Sequence, residues 1–353
     1  MKLIVTVDTE ADNQWVFDGR ITLDNLRCLP RFQALCERFG FIPTYLVAME
    51  VLQDQGTVQR LRGRQDEGRA EVGAHLEPWT TPPYMACERE NPALQMFPSR
   101  LPAPWLERKL HTLTEGIAER FGRSPRSFRA ARWGLGASMV EALVEQGYRV
   151  DCSVTPKTSW ADAGKGVLLG GPDYRHAPAK PYRLSREDVC LSGESGLLEV
   201  PVTVLYTGPL VREGSRAARC FSALPESPAK RLLDRVVFRK KWLRISPASR
   251  RGDWRAIHRA AARGGIEVLE FMIHSSELAP GTSPLTQTER EAEGVFRRLE
   301  EMFGDYRDLG VEGCTLSALA NGQKGPGDGV QGTGKNIEQV VQREGKDGTQ
   351  AEA

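Results

Sequence analysis

The chain has 353 residues, with 48 Lys+Arg against 46 Asp+Glu and a formal net charge of +2. So even a balance excludes nucleic acid as the expected bulk partner, and no apolar run approaches the ~20 residues that cross a bilayer. The seven cysteines are odd in number and lack C-x-x-C spacing, which argues against a disulfide framework or a structural zinc site.

Met1-Lys2-Leu3-Ile4-Val5-Thr6-Val7 meets Asp8 too soon for a signal peptide, so the expectation is a cytoplasmic protein with reduced thiols. Leu3–Val7 reads as a buried strand ending in acids. Leu23–Phe39 has apolar residues at helical spacing and stops at Gly40, a C-cap signal. Pro43–Val47 is a second strand, Val58–Glu67 a polar helix closed by Gly68, and Glu71–His75 a third strand. Trp105–Phe121 is an amphipathic helix ending at Gly122. Ser127–Ala130 is a strand, Ala137–Glu145 a helix stopped by Gly147, and Arg149–Ser153 a further strand. Strand–helix alternation at this spacing predicts parallel βα units and a closed or nearly closed α/β barrel.

Residues 160–200 are rich in Gly and Pro, and Leu197–Leu205 reads as a strand. Residues 212–263 hold 15 Lys/Arg against four Asp/Glu. Two readings fit this basic segment: a solvated helical face, or a lip that attracts an anionic polymer. Ile266–Ile273 is an apolar strand, Glu289–Phe303 a charged helix, and Cys314-Thr315-Leu316 opens a last short element. Eight of the final 33 residues are Gly, with no Leu, Met or aromatic among them, so 321–353 is expected to be a disordered tail after a 1–320 domain.

Polar, titratable groups recur at the strand ends. Asp8 and Glu10 fall on one side of an extended chain, as a metal ligand and a base would, or as a loop salt bridge would; Asp12 is expected to turn outward. His75 and Glu77 repeat the i, i+2 relation with good divalent-metal ligands. Trp79 reads either as a stacking wall for a sugar or as loop packing. Arg129 and Arg132, with Trp133 beside them, follow another strand, and a buried guanidinium there needs an acid, Asp8 or Glu10. Asp151 lies at the next strand end. His274 closes the last apolar strand and is the general-acid candidate. His111, His176 and His258 lie outside this pattern.

Asp8-Thr9-Glu10, Gly73-Ala74-His75, Phe128-Arg129-Ala130, Asp151-Cys152-Ser153 and Met272-Ile273-His274, in this order, resemble the five motifs of the polysaccharide deacetylase (NodB-homology) superfamily, carbohydrate esterase family 4. The resemblance implies a distorted (β/α)7 barrel over residues 1–320, carrying the 212–263 segment as a basic helical insertion. It implies removal of N-acetyl groups from a sugar or glycan by a water that a divalent metal activates. Asp8 would be the base, Arg129 its orienting partner and His274 the acid. Asp151 and Ser153 would support the pocket.

Thr9 stands where the second acid of the first motif normally lies, and Trp79 where the second histidine of the second motif lies. Glu10, His75 and Glu77 would then hold the metal, a harder set that suits Zn²⁺, Mn²⁺ or Mg²⁺. Trp79, Arg132, Trp133 and Asp151 would face the substrate, an N-acetylated sugar or glycan, anionic and carrier-linked forms included. The alternatives are a metal-independent, allantoinase-like amide hydrolase and a catalytically inactive glycan-binding relative.

Overall fold

The computed structural model describes residues 1–14, 20–85, 97–161 and 170–322. Met1–Gln323 forms one compact unit. The expected tail lies outside the described residues, except that Asn321 and Gly322 end the last helix.

The first half alternates as its periodicities predict. β1 (Lys2–Thr9) leads to α1 (Leu29–Arg38), β2 (Pro43–Val47), α2 (Gln55–Asp66) and β3 (Glu71–Leu76). Then come α3 (Ala103–Phe121), β4 (Ser127–Ala130), α4 (Ala137–Glu145) and β5 (Val150–Asp151). On α3 the predicted stripe Leu106, Leu110, Leu113, Ile117 and Phe121 is buried, each side chain contributing about 1.5–3 kcal/mol relative to exposure. Gly122, at φ +73°, ends the helix by donating its N–H to Ala118 O at 2.8 Å.

Two helix boundaries differ from expectation. The stretch from Leu23 is a 3₁₀ turn (Asp24–Cys28) before α1, because Pro30 in the first turn favours a fresh helix start. Helix α2 begins three residues before Val58, since Asp54 caps it by accepting the Thr57 N–H at 2.6 Å.

The second half has short strands β6 (Tyr182–Arg183), β7 (Leu198–Glu199) and β8 (Val204–Tyr206). Helices α5 (Arg216–Ala223) and α6 (Pro228–Leu233) precede β9 (Lys240–Trp242) and α7 (Arg251–Gly264). β10 (Val268–His274), α8 (Glu289–Asp308), β11 (Glu312–Gly313) and α9 (Leu316–Gly322) complete the chain. The basic segment is thus α5 to α7 with one strand, β9, which pairs antiparallel with β8. Several of its cations are ion-paired: Lys241 with Asp253 at 2.5 Å, and Arg251 and Arg255 with Asp305, each at 2.6 Å.

The main sheet runs β10-β1-β2-β3-β4-β5-β7-β6, with β11 added to β1. All pairs are parallel except β6–β7. The result is a curled half-barrel in a mixed α/β fold. A strand-paired (β/α)7 closure is absent among the described residues, and the single strand expected over Leu197–Leu205 is divided between β7 and β8. Pro201, between them, has no N–H to continue a ladder. The gap is bridged instead by Thr203, whose N–H reaches Glu270 O at 3.2 Å and whose Oγ1 accepts from Glu270 N at 2.7 Å. On the other side, Val202 N donates to Val154 O at 2.9 Å. No described helix is long and apolar enough to cross a membrane.

Candidate active site

The C-terminal ends of β1, β3, β4 and β10 deliver Asp8, His75, Arg129 and His274 to one rim, because parallel strands in register end together. Asp8 stands opposite His274 and His75 opposite Arg129 in the strand pairings. A cavity of about 180 Å³ opens there, lined by Asp8, Glu10, His75, Glu77 and His274 on its polar side. Its other wall includes Trp79, Arg132, Trp133 and Trp160.

Arg129 lies beneath the cavity floor and is fully buried. Nη1 pairs with Asp8 Oδ1 at 2.5 Å, Nη2 with Glu270 Oε1 at 2.5 Å and Thr6 Oγ1 at 3.0 Å, and Nε with Cys152 O at 3.0 Å. One rigid fork therefore fixes three strands. The expected acid partner Asp8 is present, and Glu10 is not; Glu270 takes the second place. Burial opposes ionisation of Asp8, but Arg129, His75 and His274 outweigh it and hold its carboxyl below the usual range. Burial pushes Glu270 up, against the pull of Arg129.

His274 Nε2 lies 3.7 Å from Asp8 Oδ2, and its Nδ1 lies 3.5 Å from Glu277 Oε1. Burial disfavours its charged form, yet the carboxylates of Glu10, Glu277 and Asp8 raise its pKa above the ordinary imidazole value. Glu277 stays ionised because the Arg244 guanidinium and His274 overcome its burial.

Glu10, His75 and Glu77 are all buried, and one donor atom from each lies within 4.8 Å of the others. His75 Nε2 is 3.5 Å from Glu10 Oε2, while His75 Nδ1 is buried with no hydrogen-bond partner among the described residues. The Glu10 backbone is pinned by Ser275 Oγ, which accepts its N–H at 3.2 Å, and by Asn25 Nδ2, which donates to its carbonyl at 3.0 Å. Thr80 Oγ1 donates to Glu77 at 3.2 Å. Burial, with Glu50 and Glu10 nearby, pushes the Glu77 carboxyl well above its ordinary pKa. This donor set fits a divalent cation: it is small, dry and rich in negative charge, with one imidazole for a borderline ion.

Arg132 and Trp133 occupy the turn after β4 with φ of +52° and +55°, a region that non-glycine residues enter at a cost. Tyr174 holds that turn by donating to Trp133 O at 2.6 Å. Trp133 stacks on Trp160 with ring centres 4.8 Å apart, and Trp242 meets both edge-on. Trp79 donates its indole N–H to Gln14 at 2.8 Å, and Arg132 lies over its ring at 5.5 Å.

Two expectations need correction. Asp151 is absent from the cavity wall: it is fully buried, and Ser153 occupies both its oxygens from N and Oγ, each at 2.8 Å. Ser153 in turn accepts the Ala130 N–H at 2.8 Å, so the pair braces β4, as its expected pocket-supporting place implies, and Asp151 does not line the cavity. Asp12 does not turn outward; it is buried and accepts the N–H groups of Asp24 and Asn25 at 2.9 and 3.0 Å, capping the 3₁₀ turn.

Sequence reasoning assigned no role to Thr6, Glu270, Glu277, Arg244, Trp160 or Trp242. Glu270 carried a usable signal. It is the lone acid in Val268-Leu269-Glu270-Phe271-Met272-Ile273-His274, four residues from His274 and so on the same strand face, where a buried charge demands a partner.

No protein-family model and no curated protein matches the chain. Among solved structures, it is similar to a Mycobacterium smegmatis protein assigned as a polysaccharide deacetylase: TM-score 0.53 and 14% identity over 91% of this chain and 89% of that one. It is also similar to the 4-alpha-glucanotransferase of Thermococcus litoralis, with TM-score 0.51 and 12% identity. That alignment covers 92% of this chain but only 41% of the larger enzyme. At these identities the likenesses show the fold alone, a half-barrel like that of the deacetylase-assigned protein and of part of the glucanotransferase.

Proposed function

We propose that the chain is a hydrolase that removes N-acetyl groups from a sugar or glycan. The observation that supports this reading most is the meeting of Asp8, His274 and the Glu10–His75–Glu77 cluster in one cavity, from strands far apart in sequence. Glu10, His75 and Glu77 would hold a divalent cation, which when bound supplies Lewis-acid polarisation and a more acidic water. Asp8, kept ionised by Arg129, accepts a proton from the attacking water. His274, kept protonated by its carboxylate neighbours, donates a proton to the departing amine nitrogen. Trp133, backed by Trp160, offers an aromatic face to the apolar side of a sugar ring, and Trp79 and Arg132 shape the opposite wall. Acetate release from N-acetylated glycan oligomers, lost in His75→Ala with the fold retained, is the expected result; turnover unchanged in that variant would refute it.

A second reading is metal-independent amide hydrolysis, and one observation favours it. The partly buried Arg132 guanidinium acts electrostatically on both Glu77 and Glu10, a positive charge that the protein itself supplies. Full turnover in a metal-stripped sample, with Arg132→Ala inactive, would select this reading.

A further inference from the structure

Away from the candidate site, a larger cavity of about 560 Å³ opens between the 175–180 and 190–192 loops and the start of α5. It shares no lining residue with the first. Its volume falls within the range of small-molecule sites.

The charged lining is mostly basic. Arg175, Lys180, Arg219 and Lys157 line it, against the single carboxylate of Glu213, and Arg175 is already paired with Asp173 at 2.6 Å. Glu213 is already committed to Lys157, 2.8 Å away. Lys157 is buried, lines the cavity and also donates to Val204 O at 3.0 Å. Lys180 and Arg219 are exposed and have no ion-pair partner among the described residues. They come from different segments of the chain, so their convergence is a product of the fold. The rest of the wall is apolar, with Pro178, Leu191 and Ile266. Three cations around one concavity exceed what a lone carboxylate requires, whereas a phosphate presents two charges and several acceptor oxygens.

We propose that this cavity binds a phosphate-bearing organic molecule, its phosphate between Lys180, Arg219 and Lys157 and its body against Pro178 and Leu191. The site stands apart from the deacetylase reading and does not depend on it.

The test uses the full chain. Calorimetric titration with pyrophosphate and with a hexose phosphate should show saturable binding that weakens with added salt. Lys180→Glu combined with Arg219→Glu should weaken it by about tenfold or more, the effect of losing charge-assisted hydrogen bonds. Both positions are exposed, and circular dichroism checks that the variant folds. Hydrogen exchange gives an independent readout: the hexose phosphate should protect amides in 175–180, 190–192 and 213–222. Sedimentation with phosphatidic acid vesicles, against phosphatidylcholine vesicles, separates the sources; binding to the former without binding of soluble probes assigns the phosphate to a lipid headgroup. Absence of binding to every phosphate probe, or equal binding by the charge-reversed variant, would overturn the proposal.

Discussion

His75 Nε2 lies 3.5 Å from Glu10 Oε2, and both side chains are buried. With Glu77 completing the cluster, this is a nucleus of negative charge that burial alone would not tolerate. The purified protein is therefore expected to carry about one divalent ion per chain, and His75→Ala or Glu77→Gln to lose it. Elemental analysis of the wild-type and variant proteins decides; substoichiometric metal in wild type that cannot be restored by dialysis against Zn²⁺ or Mn²⁺ would remove the assignment.

The pH profile follows from His274. A general acid works only while protonated, so kcat/KM should hold until the pH passes the raised pKa of His274 and then fall. Removing a negative neighbour with Glu277→Gln lowers the pKa and moves this falling limb to lower pH. An unmoved limb would show that Glu277 does not govern the ionisation.

Arg129 is surrounded by carboxylates and is fully buried. Arg129→Met leaves Asp8 and Glu270 uncompensated and should cost about 3–5 kcal/mol of stability. Arg129→Lys should recover little, because an ammonium cannot span Asp8, Glu270, Thr6 and the Cys152 carbonyl at once. Urea denaturation of the two variants measures this; equal stability of Lys and wild type would contradict the fork argument.

Most of the alternating first half was legible because each amphipathic helix carries its own period and its own glycine stop. The strand ends were legible for a related reason: acids and histidines placed directly after apolar runs mark where a buried strand surfaces. What escaped was non-local. Nothing near Leu197–Leu205 tells a reader that Thr203 will meet Glu270, and the split into two strands follows from Pro201 and that distant partner. Asp151 misled because a strand-end acid looks the same whether it opens into a pocket or folds back onto Ser153. Trp160 and Trp242 come from loop-rich and basic stretches whose local patterns give no hint of a common cluster.

The aromatic wall should act mainly on binding. Trp133→Ala removes the indole that fills the space between Trp160 and His274, 4.8 and 6.3 Å from their ring centres. Loss of a stacking face predicts a KM increase of about five- to tenfold with a smaller change in kcat, since such contacts form in ground and transition states alike. A fall in kcat with KM unchanged would move Trp133 from substrate contact to a role in positioning His274.

Asp305 ties α7 to α8. It accepts from Trp254 Nε1 at 2.8 Å and from Arg251 and Arg255 at 2.6 Å each. The Arg251 hydrogen bond is the chief reason that its carboxyl sits well below the ordinary 3.8, with Arg255 and Trp254 adding to it. The sign is that of a depressed acid: its contribution to stability is complete above the unfolded-state pKa and is lost as pH falls toward the folded-state value. Asp305→Asn should lower stability by about 2 kcal/mol at neutral pH, and the gap from wild type should narrow in acid. Equal denaturation midpoints at neutral pH would show the clamp to be idle.

Asp8 and His274 are partners across the β1–β10 register, although 265 residues lie between them. These two side chains thus belong to the first and last long strands, and they cannot face each other until almost the whole domain has been synthesised. A nascent chain stopped between β5 and β10 would hold Asp8 and Arg129 but lack the strand that pairs with β1 beside them, leaving that edge of β1 open to other chains. Early termination should therefore yield aggregate rather than a partly folded domain.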